Sequence, residues 1–169
     1  VTLTPLMIAL ADPVPRYPGK GGEWHGGNAW ALLVTNPNPQ PVRGCYLTFV
    51  SAERTTGDDV QTWLAEPGTR LTWRRDQREV DIAGHGALAR SDNFVGVNDD
   101  AARGFGIYSG ATGGQLPAGE YEVVIECGST IDIVEPSRAL LTITFVPGDL
   151  SVTIQQSVPS MEASPTGSA

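Results

Sequence analysis

Cysteine and histidine, which carry so much covalent and metal chemistry, are nearly missing: there are two of each in 169 residues. Those four, His25, His85, Cys45 and Cys127, are scattered, whereas a structural zinc site shows closely spaced ligand pairs. His25 opens His25-Gly26-Gly27, a string used in some esterase oxyanion holes, but that chemistry also needs a G-x-S-x-G nucleophile elbow. The nearest string, Gly106-Ile107-Tyr108-Ser109-Gly110, has the wrong spacing. Asp58-Asp59 and Asp99-Asp100 lack the alternating oxygen ligands of a calcium loop. With 19 acidic residues, carboxylate pairs must occur somewhere, but sequence cannot set the separation that glycosidase chemistry requires. No catalytic cluster, metal or cofactor is expected, and the protein reads as a non-enzyme.

Basic charge is scarce too. Lys and Arg total 11 against 19 Asp and Glu, a formal net charge of -8. Nucleic-acid affinity comes mainly from cations displacing counterions, so nucleic acid is not expected as a partner. The one basic run, Arg74, Arg75 and Arg78, is interrupted by Asp76 and followed by Glu79 and Asp81; it reads as a solvated edge or turn. Nor is there an apolar run approaching the ~20 residues that span a bilayer. The apolar start, residues 1–11, is too short and has no basic n-region, so an export signal, if one exists, lies upstream of Val1.

What is abundant points one way. Hydrophobic content of 40% suits a globular chain, and Gly 20 with Pro 13 suits many short elements joined by turns. The periodicity is two. Trp30, Leu32 and Val34 alternate with Ala31, Leu33 and Thr35, and Cys45, Leu47 and Phe49 alternate with Tyr46, Thr48 and Val50. In residues 120–127, Tyr121, Val123, Ile125 and Cys127 share one face while Glu120, Glu122 and Glu126 share the other, giving a buried side and a wet side. Leu141, Ile143 and Phe145, then Leu150, Val152 and Ile154, repeat the pattern. Residues 3–10, 71–73, 80–82, 94–97 and 104–108 are weaker strand candidates. Asn36-Pro37-Asn38-Pro39-Gln40-Pro41 denies backbone donors to any ladder and reads as a surface loop. The expected fold is all-β: a two-sheet, immunoglobulin-like sandwich of about nine or ten short strands. One domain covers residues 1–156, with a Gly- and aromatic-rich loop inside its first 28 residues, and residues 157–169 form a linker-like tail.

Leu116-Pro117-Ala118-Gly119-Glu120-Tyr121 resembles the L-P-x-G-x-Y lead-in to the sixth strand of immunoglobulin-like and fibronectin type III-like domains. The cues Val34-Thr35-Asn36, Cys45, Leu71-Thr72-Trp73 and Val80-Asp81-Ile82 are similar to sandwich domains on bacterial and archaeal surface or membrane-anchored proteins. The resemblance spans roughly residues 30–146. It implies a fold, a surface location and a tyrosine-corner role for Tyr121, whose hydroxyl would tie to backbone near residues 113–119. It implies no chemistry.

In such a sandwich the third and sixth strands are antiparallel neighbours, so the start of one, at Cys45, lies near the end of the other, at Cys127. Both fall on the inward face by parity. A disulfide is then reachable, provided the Cα atoms come within about 4.4–6.8 Å, and would place the protein in an extracytoplasmic compartment. The alternative is two buried free thiols.

Partners would be met by aromatic side chains on permissive loops. Tyr17, Trp24 and His25 sit among glycines and Trp63 stands near Pro67-Gly68; flat amphipathic rings of this kind suit protein contact or sugar stacking. They equally suit a fold-back over the core, and Trp30 and Trp73, in strand patterns, are expected inside it. Two functions follow. One is a non-catalytic structural or interaction module, an accessory subunit of a cell-surface, envelope or virion assembly, meeting other protein subunits through its two ends: residues 1–11 as an edge strand and the tail after Ser157. The other is a carbohydrate-binding module using the loop aromatics.

Overall fold

A computed structural model describes residues 3–11, 14–15, 28–56, 68–74, 77–92, 95–97, 105–107, 118–146 and 149–157. Among the described residues thirteen strands run in chain order: β1 (Met7–Leu10), β2 (Val14–Pro15), β3 (Asn28–Trp30), β4 (Leu32–Thr35), β5 (Val42–Arg54), β6 (Arg70–Leu71), β7 (Val80–Ile82), β8 (Leu88–Arg90), β9 (Val95–Val97), β10 (Phe105–Ile107), β11 (Gly119–Ser129), β12 (Ser137–Val146) and β13 (Asp149–Ser157). No α-helix occurs among the described residues. Two sheets face each other as a β-sandwich. One is three-stranded, in the order β1-β4-β8, and the other is six-stranded, β13-β12-β11-β5-β6 with β7 also on β5. In the second sheet β11 lies between β5 and β12, and β13 lies beyond β12.

The two sandwich sheets hold nine described strands, within the expected nine or ten, and β10-β9-β3-β2 form a separate small four-stranded sheet. Trp30 belongs to that sheet and not to β4. The central strands are also longer than short alternating runs imply. β5 has 13 residues and β11 has 11, because β5 absorbs two irregularities without ending. Its pairing with β11 skips Val50, and its pairing with β7 shifts between Val42 and Cys45. Gly44 sits in that second shift at a φ of 62°, a left-handed conformation that suits the glycine of a bulge.

The core follows the period-two pattern. Ile8, Leu32 and Val34 from the smaller sheet, with Leu6 just before β1, meet Val42, Cys45, Leu47, Phe49, Tyr121, Val123, Ile125, Cys127, Leu141, Ile143 and Phe145 from the larger one. Trp73 is the largest fully buried side chain among the described residues, and its indole N–H donates to Cys45 O at 3.0 Å.

The two open sides of the sandwich are closed differently. On one, Gln156 of β13 reaches across to β1: its amide oxygen accepts from Ile8 N–H at 2.8 Å and its amide nitrogen donates to Leu6 O at 2.9 Å. On the other, Asp92 N–H donates to Thr72 O at 3.0 Å beside a bridge between Trp73 and Ser91.

The Cys45–Cys127 disulfide is not formed; both residues are buried free thiols. Register is the reason. Cys45 pairs with Ser129 and Cys127 with Leu47, because β5 begins before Cys45 and β11 continues beyond Cys127. The two cysteines are therefore diagonal neighbours, at a spacing of about 7–8 Å typical of such pairs, beyond the usual reach of a disulfide. Burial pushes the Cys45 thiol up to about 12 and raises that of Cys127 still further, with Cys45 itself adding to the rise. Neither is thiolate near neutral pH, so both are expected to resist iodoacetamide at pH 8 in the folded protein. Both should label in denaturant without any reductant, as mass spectrometry of the alkylated chain would show. A denatured chain that labels only after reduction would restore the bridge.

Candidate functional site

Three connections gather at the end of the sandwich where β5 begins: residues 36–41, 83–87 and 130–136. Two asparagines bind the first two together. Asn36 is fully buried and Asn38 nearly so. The Asn36 amide nitrogen donates to Gln40 O at 2.8 Å, Ile82 O at 3.1 Å and Ala83 O at 3.2 Å. Its oxygen accepts from the backbone N–H of Asn38 at 3.0 Å and from the Asn38 side chain at 2.9 Å. Asn38 in turn holds both backbone groups of Thr4, accepting from N–H at 2.7 Å and donating to O at 2.9 Å. The stretch is a surface loop, with Pro37, Pro39, Gln40 and Pro41 exposed, but its two asparagines form a buried polar pin. Its prolines lack N–H groups, so side-chain amides satisfy the carbonyls that a backbone ladder would otherwise serve. Packing here is close enough that a Cβ on Gly84 would fall 2.1 Å from Pro39 O.

The third connection is clamped onto the start of β5. Arg43 meets Asp132 through Nη2–Oδ1 at 2.7 Å and Nε–Oδ2 at 3.3 Å, and the Arg43 backbone N–H donates to Oδ2 at 2.7 Å. Those bonds hold the Asp132 carboxyl below its ordinary range. The Ser129 hydroxyl donates to Arg43 O and accepts from the N–H groups of Ile131 and Asp132. Thr130 N–H donates to Gly44 O at 2.9 Å, and its hydroxyl donates to Glu79 at 2.9 Å. A Cβ on Gly44 would come 2.6 Å from the Thr130 hydroxyl, so the bulge glycine also makes room for the loop.

Held this way, the loop turns two isoleucines outward, Ile131 at 57% and Ile133 at 89% exposure. Beside Ile131 lies a groove of about 670 Å³ between the β7 and β8 edges. Its apolar floor includes Leu33, Trp73 and Ala89, and Arg74, Glu79, Asp81 and Arg90 also line it. Leu88, in the same groove, is 61% exposed. Ile131 still lies against Gly44 of β5, and grouped exposed apolar side chains are the feature by which a contact surface is recognised. Among the described residues no group of three His, Cys, Asp or Glu could hold a metal ion.

Sequence reasoning placed the site elsewhere. Tyr17, Trp24, His25 and Trp63 lie outside the described residues, as do Asp58-Asp59, Asp99-Asp100 and the tail from 158 onward. Tyr121 is fully buried and its hydroxyl bonds Arg54, which donates to Ala118 O at 2.8 Å. β1 is an edge strand, as its alternation suggested, but Gln156 already occupies its outer bonds at Leu6 and Ile8. Asn36, Asn38, Ile131 and Ile133 were missed. The usable signal was Ile131-Asp132-Ile133 in a stretch with turn composition, where apolar residues have no strand face to occupy.

Compared with known protein families, with curated proteins and with solved structures, this chain matches none.

Proposed function

We propose that this β-sandwich is a non-catalytic structural or interaction module, an accessory subunit of a cell-surface, envelope or virion assembly that works by protein contact. The observation that carries the reading is the pair Ile131 and Ile133, presented to solvent on a loop that Arg43, Asp132, Ser129 and Thr130 hold rigid. A preorganised tip loses little side-chain and loop freedom on docking, which is where association gains affinity. The adjoining groove offers depth for a partner's side chain.

Site-specific photocrosslinking tests it. With Ile133→benzoylphenylalanine in the producing cells, a defined polypeptide adduct is expected, and Ile131→Ser should weaken it about tenfold, the scale of one lost apolar contact of 1–2 kcal/mol. The same photoprobe at Glu122, on the wet face of β11, should give none. Equal adducts at both positions, or none at either, would remove the reading. Binding of soluble oligosaccharides that Trp24→Ala or Trp63→Ala abolishes would replace it with the carbohydrate-binding alternative.

A further inference from the structure

β13 ends the six-stranded sheet, and no described residue pairs with it on the side away from β12. Its pairing with β12 runs through all nine of its residues with no shift in register. Natural edge strands are usually short, bulged, or guarded by Lys or Pro, because an open edge templates further pairing. The other edges here follow that rule. β6 and β7 have two and three residues, with Glu79 and Asp81 at β7, and β8 has three. β1 has four and is capped by Gln156. β13 reads DLSVTIQQS: it holds no proline and no basic residue, and its only charge, Asp149, is at one end.

The direction of its peptide groups follows from alternation. Thr55 N–H donates to Glu120 O and Thr130 N–H to Gly44 O, so even-numbered residues of β11 face β5 and odd ones face β12. Tyr121 pairs with Ile143, and Thr142 with Thr153. Carrying the phase across β12, the odd residues of β13 bond β12, while Leu150, Val152, Ile154 and Gln156 turn their N–H and C=O groups outward.

We propose that this edge binds a second copy of itself, antiparallel about a two-fold axis at Thr153, joining the two six-stranded sheets into one. In that register Val152 meets Ile154 of the second copy and Leu150 meets Gln156, all of them outward-bonding positions. Thr153 meets its own copy in a close, non-hydrogen-bonded pair. Ser151 falls opposite Gln155, and Asp149 opposite Ser157, so no like charges face each other although the chain carries -8. An interface of this symmetry has to be self-complementary, and the composition of β13 is.

Thr153 is exposed, so charging it should leave the fold intact while placing like charges face to face at the axis. Light scattering on the full chain at about 100 µM, where a dimer of micromolar affinity is filled, should return twice the 17.9 kDa chain mass. Thr153→Lys alone and Thr153→Glu alone should each return the single-chain mass with unchanged circular dichroism. An equimolar mixture of the two variants should return the dimer mass. A monomeric wild type, a dimer that Thr153→Lys leaves untouched, or a mixture that stays monomeric overturns the proposal. The edge is separate from Ile131 and Ile133, so a monomer that still gives the Ile133 adduct would refute self-pairing and leave the contact reading standing.

Discussion

Asn36→Asp, a change of one amide nitrogen to oxygen, should destabilise the fold by about 3–5 kcal/mol at pH 7, the cost of an uncompensated buried charge. One oxygen of the new carboxylate can still accept from Asn38, but the other would face the carbonyls of Gln40, Ile82 and Ala83, with no proton to offer them. The defect should depend on pH in a definite direction. The folded state raises the pKa of the new carboxyl above its unfolded value of about 3.9, so the native state binds the proton more tightly. The loss is therefore fullest above the raised folded pKa and shrinks as pH falls toward the unfolded value. Urea denaturation at pH 7 and pH 4.5 would measure both parts. A loss under about 1 kcal/mol at pH 7 would show that the asparagine pin does not hold this end together.

Trp73→Ala should cost about 3–5 kcal/mol, the range for truncating a large aromatic in a packed core. Two losses combine here. The indole fills space between the sheets, and its N–H serves the carbonyl of Cys45, which would be left without that donor. Trp73→Phe separates them by keeping an aromatic ring while deleting the N–H. It should retain more than half of the lost stability, as guanidinium melts of both variants would report. If the phenylalanine variant is as unstable as the alanine one, the hydrogen bond and not the packing dominates.

The sandwich was legible because its signal is local. Alternation in residues 120–127 and 141–145 reports which side chains face inward, and β11 and β12 bury those same residues. Register was not legible. It depends on where a strand truly starts and on bulges, and Gly44 and Val50 each shift β5 in a way that apolar spacing does not record. The proposed disulfide failed on that point alone, although the choice of neighbouring strands and of faces was right. Asn36 and Asn38 were misread for a different reason. Polar residues between prolines suggest solvent, and only the fold brings Ile82, Ala83 and Thr4 close enough to use their amides. Ile131 and Ile133 were visible as letters, but their exposure follows from a clamp built by residues about 90 positions earlier, as the 89-residue separation of Arg43 and Asp132 illustrates.

The way β13 doubles back has a mechanical consequence. Because it follows β12 antiparallel, Ser157 comes to the same end of the sandwich as Leu3, beside Arg138 and Val134 respectively. A pull applied through those two points would load β1 and β13 at their outermost bonds, which open one after another as in a zipper. Sandwiches whose chain enters at one end and leaves at the other are instead loaded along their strands, so that many bonds share the force. Pulled between Leu3 and Ser157, this sandwich should therefore give way at a lower force than one loaded along its strands.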